Sequence, residues 1–331
     1  MRLKKVIAMV AIMGALLLAV RLNGDLSGYV DVMKSGRTMD TFSASLLSGN
    51  EDQALRLRIE EEAAKRRIAP IDARVDRVWK AIPGYNGLEV DVNKTYMHMR
   101  KASPQAPIQY VFNEIKPKIG LDDLGTEPIY KGNPEKPMVA LMINVAWGNE
   151  FLEPMLKTLK QENVKATFFF DGSWLKKNAD AARVIQSYGH ELSNHAYSHP
   201  DMSKLDRTSQ YNQIAKTEAL LKSTLGVSNR FFAPPSGDFN RMTVEVAAEQ
   251  GLKTVLWTLD TVDWMHPSPD SIVRKISTRV EPGSLILMHP TDSASGALLG
   301  MIKAIKQKGL VLGTVSETLS SDRVRLVEAG L

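Results

Sequence analysis

The 331-residue chain contains no cysteine. That excludes disulfides, thiolate metal sites, iron–sulfur clusters and cysteine nucleophiles together, and leaves His, Asp, Glu or Asn to hold any metal. No Gly-rich phosphate loop follows the first strand of its regular region, which argues against a dinucleotide fold. Lys and Arg outnumber Asp and Glu by 42 to 37, but they are dispersed among acids rather than clustered with aromatics. That excludes a nucleic-acid partner as the main reading. A net charge of +5 and an isoelectric point near 9.2 suit an anionic cell-envelope surface. Hydrophobic content of 44% with 24% charged residues is that of an ordinary globular chain with a sizeable core.

Long apolar runs are scarce, with one exception at the N-terminus. Arg2, Lys4 and Lys5 precede the run from Val6 to Val20, which Arg21 ends. A basic segment followed by an apolar one is the layout of an export signal. No clear small-x-small cleavage site follows, so a retained anchor and a removed signal both stand. The run falls short of the ~20 residues that a spanning helix wants, and Arg21 can snorkel to lengthen it. The basic residues would stay cytoplasmic and the rest would lie outside. The expected location is therefore the outer face of the cytoplasmic membrane, through this segment, or the secreted fraction.

Four regions follow from the patterning. Residues 1–24 are the signal or anchor. Residues 25–135 hold a charged helical stretch, "EDQALRLRIEEEAAKRR", a small α/β accessory module from Ile68 to about Pro117, and the linker "YKGNPEKP". The charge run reads as a solvated helix face. Residues 136–320 form the main domain and 321–331 a tail.

The main domain alternates strand and helix without interruption. "MVALMINV" is a continuous apolar run, as in a strand buried on both faces. The strands "ATFFF", "HELSNH", "NRFFAPP", "LKTVLWTL", "GSLILMH" and "LVLGTV" follow it, each after an amphipathic stretch. Such alternation predicts a parallel sheet with helices outside, and the number of units predicts a closed or nearly closed (β/α) barrel. In barrels, active residues stand where strands end. The segments following these strands read "NVAWGNE", "DGSW", "NHAYSHP", "PPSGDF", "DTVDW" and "MHP", which concentrate His, Asp, Trp and Pro there.

These segments resemble the polysaccharide deacetylases with a NodB homology domain, the zinc-dependent carbohydrate de-N-acetylases, over about residues 136–320. "HAYSHP" is similar to the family's His-x-x-x-His metal pair, "RFFAPPSGDFN" to its groove wall, "LWTLDTVDW" to its Asp-x-x-Asp-Trp motif and "LILMHP" to its histidine motif. The chain looks most like the membrane-anchored, sporulation-associated subgroup. The resemblance implies an irregular (β/α) barrel of the deacetylase type and hydrolysis of amide carbon–nitrogen bonds in peptidoglycan or a chitooligosaccharide-like glycan. It makes His195 and His199 metal ligands, His289 the general acid, and Asp263 or Asp260 the partner of His289. Trp147, Phe232, Pro234, Pro235 and Trp264 would line the sugar groove.

The first motif departs from the family. Aligned on "ALMIN", its adjacent carboxylates fall on Asn144 and Val145. An amide is no base near neutral pH, and Val145 cannot bind zinc. Ala233 stands where the family usually carries the Arg that braces the catalytic carboxylate. Catalytic zinc usually has three protein ligands, so the expected zinc site is weak or absent. Two rescues are open. The amide oxygen of Asn144 serves as a poor third ligand, or Asp171 or Glu150 swings in to supply charge. Two functions stay in play: an exported deacetylase with an altered site, and a non-catalytic member that keeps the groove and binds glycan or an envelope partner.

Overall fold

The structure is a computed structural model that describes residues 39–103 and 106–324, with side chains from residue 52 onward. The N-terminal apolar run and the last residues of the tail lie outside the described residues. Among the described residues, no helix is long and apolar enough to cross a membrane. The described residues fall into two compact units, one with residues 39–67 and the described part of 89–113, the other with Ile68–Leu88 and residues 114–324.

In the first unit a helix spans Met39–Lys65 and a shorter one Val92–Met99. The charge run lies on the long helix, with Arg56 bonded to Glu60 one turn on. Asp91 caps the second helix through the backbone N–H of Lys94, satisfying one of its free donors.

The second unit carries the barrel, whose elements we number from its first strand. Strand β1 is Met138–Val145 and helix α1 Asn149–Gln161. Then come β2 (Thr167–Phe170), α2 (Gly172–Lys177), α3 (Ala179–Ser187) and β3 (Glu191–Asn194). Helix α4 (Arg207–Leu225), β4 (Phe231–Phe232), α5 (Arg241–Glu249) and β5 (Lys253–Thr254) follow. The domain ends with β6 (Leu259–Asp260), α6 (Pro269–Arg279), β7 (Leu285–Met288), α7 (Asp292–Gln307), β8 (Val311–Gly313) and α8 (Val315–Leu319). The parallel sheet runs β6-β7-β1-β2-β3-β4-β5, and β8 pairs with the first half of β1.

All eight residues of β1 are buried, as a strand covered on both faces requires. Val139, Leu141, Ile143 and Val145 face the helices and join the main core with Leu152, Phe168 and Met301. Ala140 and Met142 face the barrel interior with Phe169, Phe231 and Leu285. The period-2 alternation of a strand produces this division, and it places Asn144 and Val145 on opposite faces.

The sheet curls without closing. "LKTVLWTL", expected as one strand, is two two-residue strands, β5 and β6, on opposite edges of the sheet. The chain between them crosses the seam. Val255 donates its N–H to Phe232 at 2.8 Å on one side, and Thr258 donates to Leu285 at 2.9 Å on the other. Residue Ile129 fills the seam, fully buried in the interior cluster and accepting from the N–H of Leu256 at 2.7 Å. The barrel is thus the nearly closed form, sealed by a segment that precedes β1. Residues 114–135, which the patterning assigns outside the main domain, group with the barrel in one unit, as do residues 68–88, where Ala81 donates its N–H to Pro128 at 3.0 Å.

Candidate functional site

The histidine pair sits on the loop after β3, and the surrounding bonds dictate that loop's shape. His195 continues the ladder, donating its backbone N–H to Phe170 at 2.9 Å. The side-chain oxygen of Asn194 then accepts from the N–H of Ala196 at 2.8 Å, an Asx turn that tightens the chain. Ala196 and His199 both take φ near +55 to +60°, a conformation that non-glycine residues keep only when their surroundings impose it. Here Gln213 accepts from the N–H groups of Tyr197 and Ser198, each at 3.0 Å. From α2, the N–H groups of Gly172 and Ser173 donate to Ala196 and Tyr197. Gly172 must lack a side chain, because a Cβ would lie 2.4 Å from Thr217 Oγ1.

This loop brings the two imidazoles to 5.2 Å between ring centroids. His195 is buried, and its Nδ1 donates to the carbonyl of Ala233 at 2.8 Å. A carbonyl only accepts, so the proton is on Nδ1 and the Nε2 lone pair is free, the state a metal ligand needs. Burial lowers the pKa of His195 to about 3, with the nearby His199 adding to it, so this ring stays neutral.

Across the cleft, Asp263 is fully buried and holds His289, with Oδ1 3.1 Å from Nδ1 and Oδ2 accepting the His289 N–H at 2.8 Å. Thr261 Oγ1 donates to the same carboxylate at 2.6 Å. The partner of His289 is therefore Asp263. Asp260 instead accepts the N–H of Val262 at 2.7 Å and lines the cleft. Trp147 lies against His289, rings 5.4 Å apart and 14° from parallel, and meets His199 edge-on at 6.4 Å.

A cleft of about 450 Å³ joins these groups, lined among others by Asn144, Trp147, Trp257, Asp260, Trp264 and His289. Phe232, Pro234 and Pro235, expected on the groove wall, are buried. Phe232 belongs to a cluster with Ile214 and Val246 on the helix side of β4, because the strand's pleat turns it away. Trp257 takes that place in the cleft. It was legible only as part of a strand, and the bend at the seam is what aims it inward.

The metal expectation meets a plain test in the donor set. Asn144 is buried with an Oδ1 that finds no partner among the described residues, and Val145 is buried in the sheet–helix core. No three His, Asp or Glu side chains gather around a common point among the described residues. Asp171 does not complete the set. Its Oδ1 caps α2, accepting from the Trp174 N–H at 2.9 Å and Ser173 Oγ at 2.6 Å. Glu150 is exposed on the first turn of α1. Two imidazoles and an amide do not fit a catalytic zinc site.

A nearly closed (β/α) barrel with paired histidines after its third strand, and a histidine after its seventh held by an Asp that follows its sixth, is the arrangement that the resemblance to the polysaccharide deacetylases implies. The polysaccharide deacetylase profile matches residues 131–255. An uncharacterized protein, YlxY, of Bacillus subtilis is 45% identical over 80% of this chain and 83% of its own length. A peptidoglycan-N-acetylglucosamine deacetylase of Bacillus cereus is 32% identical over 72% of this chain and 94% of its own. The chain belongs to the polysaccharide deacetylase family. The crystal structure of a CE4 family pseudoenzyme from Bacillus anthracis superposes with a TM-score of 0.76 at 40% identity, covering 81% of this chain and 96% of that one. A mutant of that pseudoenzyme with restored enzymatic activity superposes equally, with a TM-score of 0.76 at 39% identity, over 81% of this chain and 99% of that one.

Proposed function

We propose that this chain works at the cell envelope, taking an N-acetylated glycan of the peptidoglycan or chitooligosaccharide kind into its Trp-lined cleft, with a degenerate amide-hydrolysing site. The observation that carries this reading is the cleft itself, where Trp147, Trp257 and Trp264 stand around a groove that ends on His289. Indole faces stack on sugar rings, and the dyad below them is the acid half of an amide hydrolase. There His289 would hold the proton for a leaving amine, with Asp263 fixing its tautomer and orientation. The base half is missing, since Asn144 cannot take a proton from water.

A second reading, a glycan-binding member without turnover, is favoured by a specific observation: among the described residues, no carboxylate completes a three-ligand cluster with His195 and His199. Export through residues 1–24, as signal or anchor, would place the barrel where such glycans are.

The test is paired. Calorimetry with N-acetylglucosamine oligomers reads binding, and acetate release reads turnover. We expect binding that Trp264→Ala weakens, and acetate release about 10²–10⁴-fold below that of a relative with an intact base, the usual worth of that group. Absence of any oligomer binding overturns the reading.

A further inference from the structure

Among the described residues lining the cleft, Asp260 is the single acidic or basic side chain, histidines aside. Its Oδ1 is taken by the N–H of Val262, which leaves the rest of the carboxylate for a ligand. Asn144, 3% exposed and lining the same cleft, has an Oδ1 that no donor satisfies among the described residues. Both groups ask for a hydrogen-bond donor, and Asp260 asks for a cation.

The aromatic walls make the same demand. Trp147 and Trp264 are 45% and 53% exposed. Trp257 is fixed against Gly237, where a Cβ would lie 2.8 Å from the indole Cη2. Indole faces attract cations through the ring quadrupole, most strongly where water is partly excluded. Meanwhile no three-ligand cluster for a zinc ion that would polarise an acetyl carbonyl forms among the described residues.

We infer that the cleft recognises a glycan whose amino groups are free, so that the chain binds the de-N-acetylated form of its polysaccharide in preference to the N-acetylated one. This rests on the reading that the cleft takes an envelope glycan. A glucosamine ring presents an ammonium group with three donors, no acetyl methyl and an apolar face, which matches Asp260, Asn144 and the indoles together. The chain as a whole repels polycations with its net charge of +5, so such a preference has to arise locally.

The experiment is calorimetry on the full-length chain at neutral pH with a glucosamine tetramer and an N-acetylglucosamine tetramer. The glucosamine tetramer should bind about tenfold tighter, the scale of one cation–aromatic contact with a charge pair. The advantage should shrink as salt is raised. Asp260→Asn should remove most of the difference between the two tetramers, and because the Asn oxygen can still accept from Val262 the loop keeps its shape. Equal or tighter binding of the N-acetylated tetramer overturns the inference and leaves the proposed function standing. Glucosamine binding unchanged in both Asp260→Asn and Trp264→Ala places the ligand elsewhere and overturns it too. Binding of neither tetramer overturns the proposed function itself.

Discussion

Asp263 grips His289 twice, through the imidazole Nδ1 at 3.1 Å and through the backbone N–H at 2.8 Å. One buried carboxylate thereby ties the loop after β6 to the end of β7. Thr261 adds a third donor at 2.6 Å. Asp263→Ala would leave the two His289 donors without this acceptor, while Thr261 Oγ1 keeps the carbonyl of Leu287 at 3.0 Å, and we expect a loss of about 3 kcal/mol in urea unfolding. Asp263→Asn, which keeps an oxygen, should lose less. A midpoint for Asp263→Ala within about 0.5 kcal/mol of wild type would show that the grip contributes little.

The strand–helix alternation and the chemistry at the strand ends were legible because both are local patterns. His199 and His289 line the cleft, and Asn144 and Val145 read as losses once the first strand is aligned with the family it resembles. Three things were not legible. The pairing of His289 with Asp263 rather than Asp260 depends on the turn at Val262, whose φ of 57° no pattern announces. The burial of Phe232 depends on the pleat of a two-residue strand. The sealing of the barrel by Ile129 is a contact across more than a hundred residues, and only the curled sheet reveals it.

His190 predicts how stability responds to acid. Burial, with Lys165 nearby, lowers its pKa to about 4, and its Nδ1 accepts the N–H of Ala166 at 3.2 Å. In the unfolded chain the ring titrates near ~6.5. Above that pH both states are neutral and His190 imposes no cost. Between about pH 6.5 and about 4 the unfolded state takes a proton that the folded state refuses, so stability falls as pH falls and levels off below. His190→Asn, which still offers an acceptor to Ala166, should flatten this limb by on the order of 2 kcal/mol. Urea unfolding at a series of pH values reads it. Parallel profiles for the two proteins would remove His190 from the account.

Zinc should distinguish the missing carboxylates from every other change at the site. The wild-type chain, with two imidazoles and an amide, should bind zinc weakly. Asn144→Asp, which puts a carboxylate in the cleft that His199 also lines, should tighten it by about tenfold or more, read by metal titration against a chelating dye. Val145→Asp alone puts a carboxylate among Leu152, Phe170 and Trp174. It should cost about 2–4 kcal/mol without metal. Submicromolar, stoichiometric zinc on the unaltered chain would mean that the donor set has been misread.

Gly148 and Gly226 share a left-handed backbone, at φ +80° and +65°, and they should respond differently to the same substitution. Both →Ala changes incur the conformational penalty of an L-residue in that region, roughly 1–2 kcal/mol. At Gly226, the C-cap of α4, a Cβ would meet nothing within 4 Å, so that penalty is the whole effect. At Gly148 a Cβ would sit 1.9 Å from the carbonyl oxygen of Pro290, and backbone on both sides has no rotamer with which to yield. Gly148→Ala must therefore push the loop carrying Trp147 away from the loop that follows His289. The expected loss exceeds that of Gly226→Ala by about 2 kcal/mol or more, and glycan binding should weaken with it because Trp147 loses its stack on His289. Equal losses at the two glycines would show that the β1–α1 loop moves aside freely, and that the indole–imidazole stack is not fixed by the backbone beneath it.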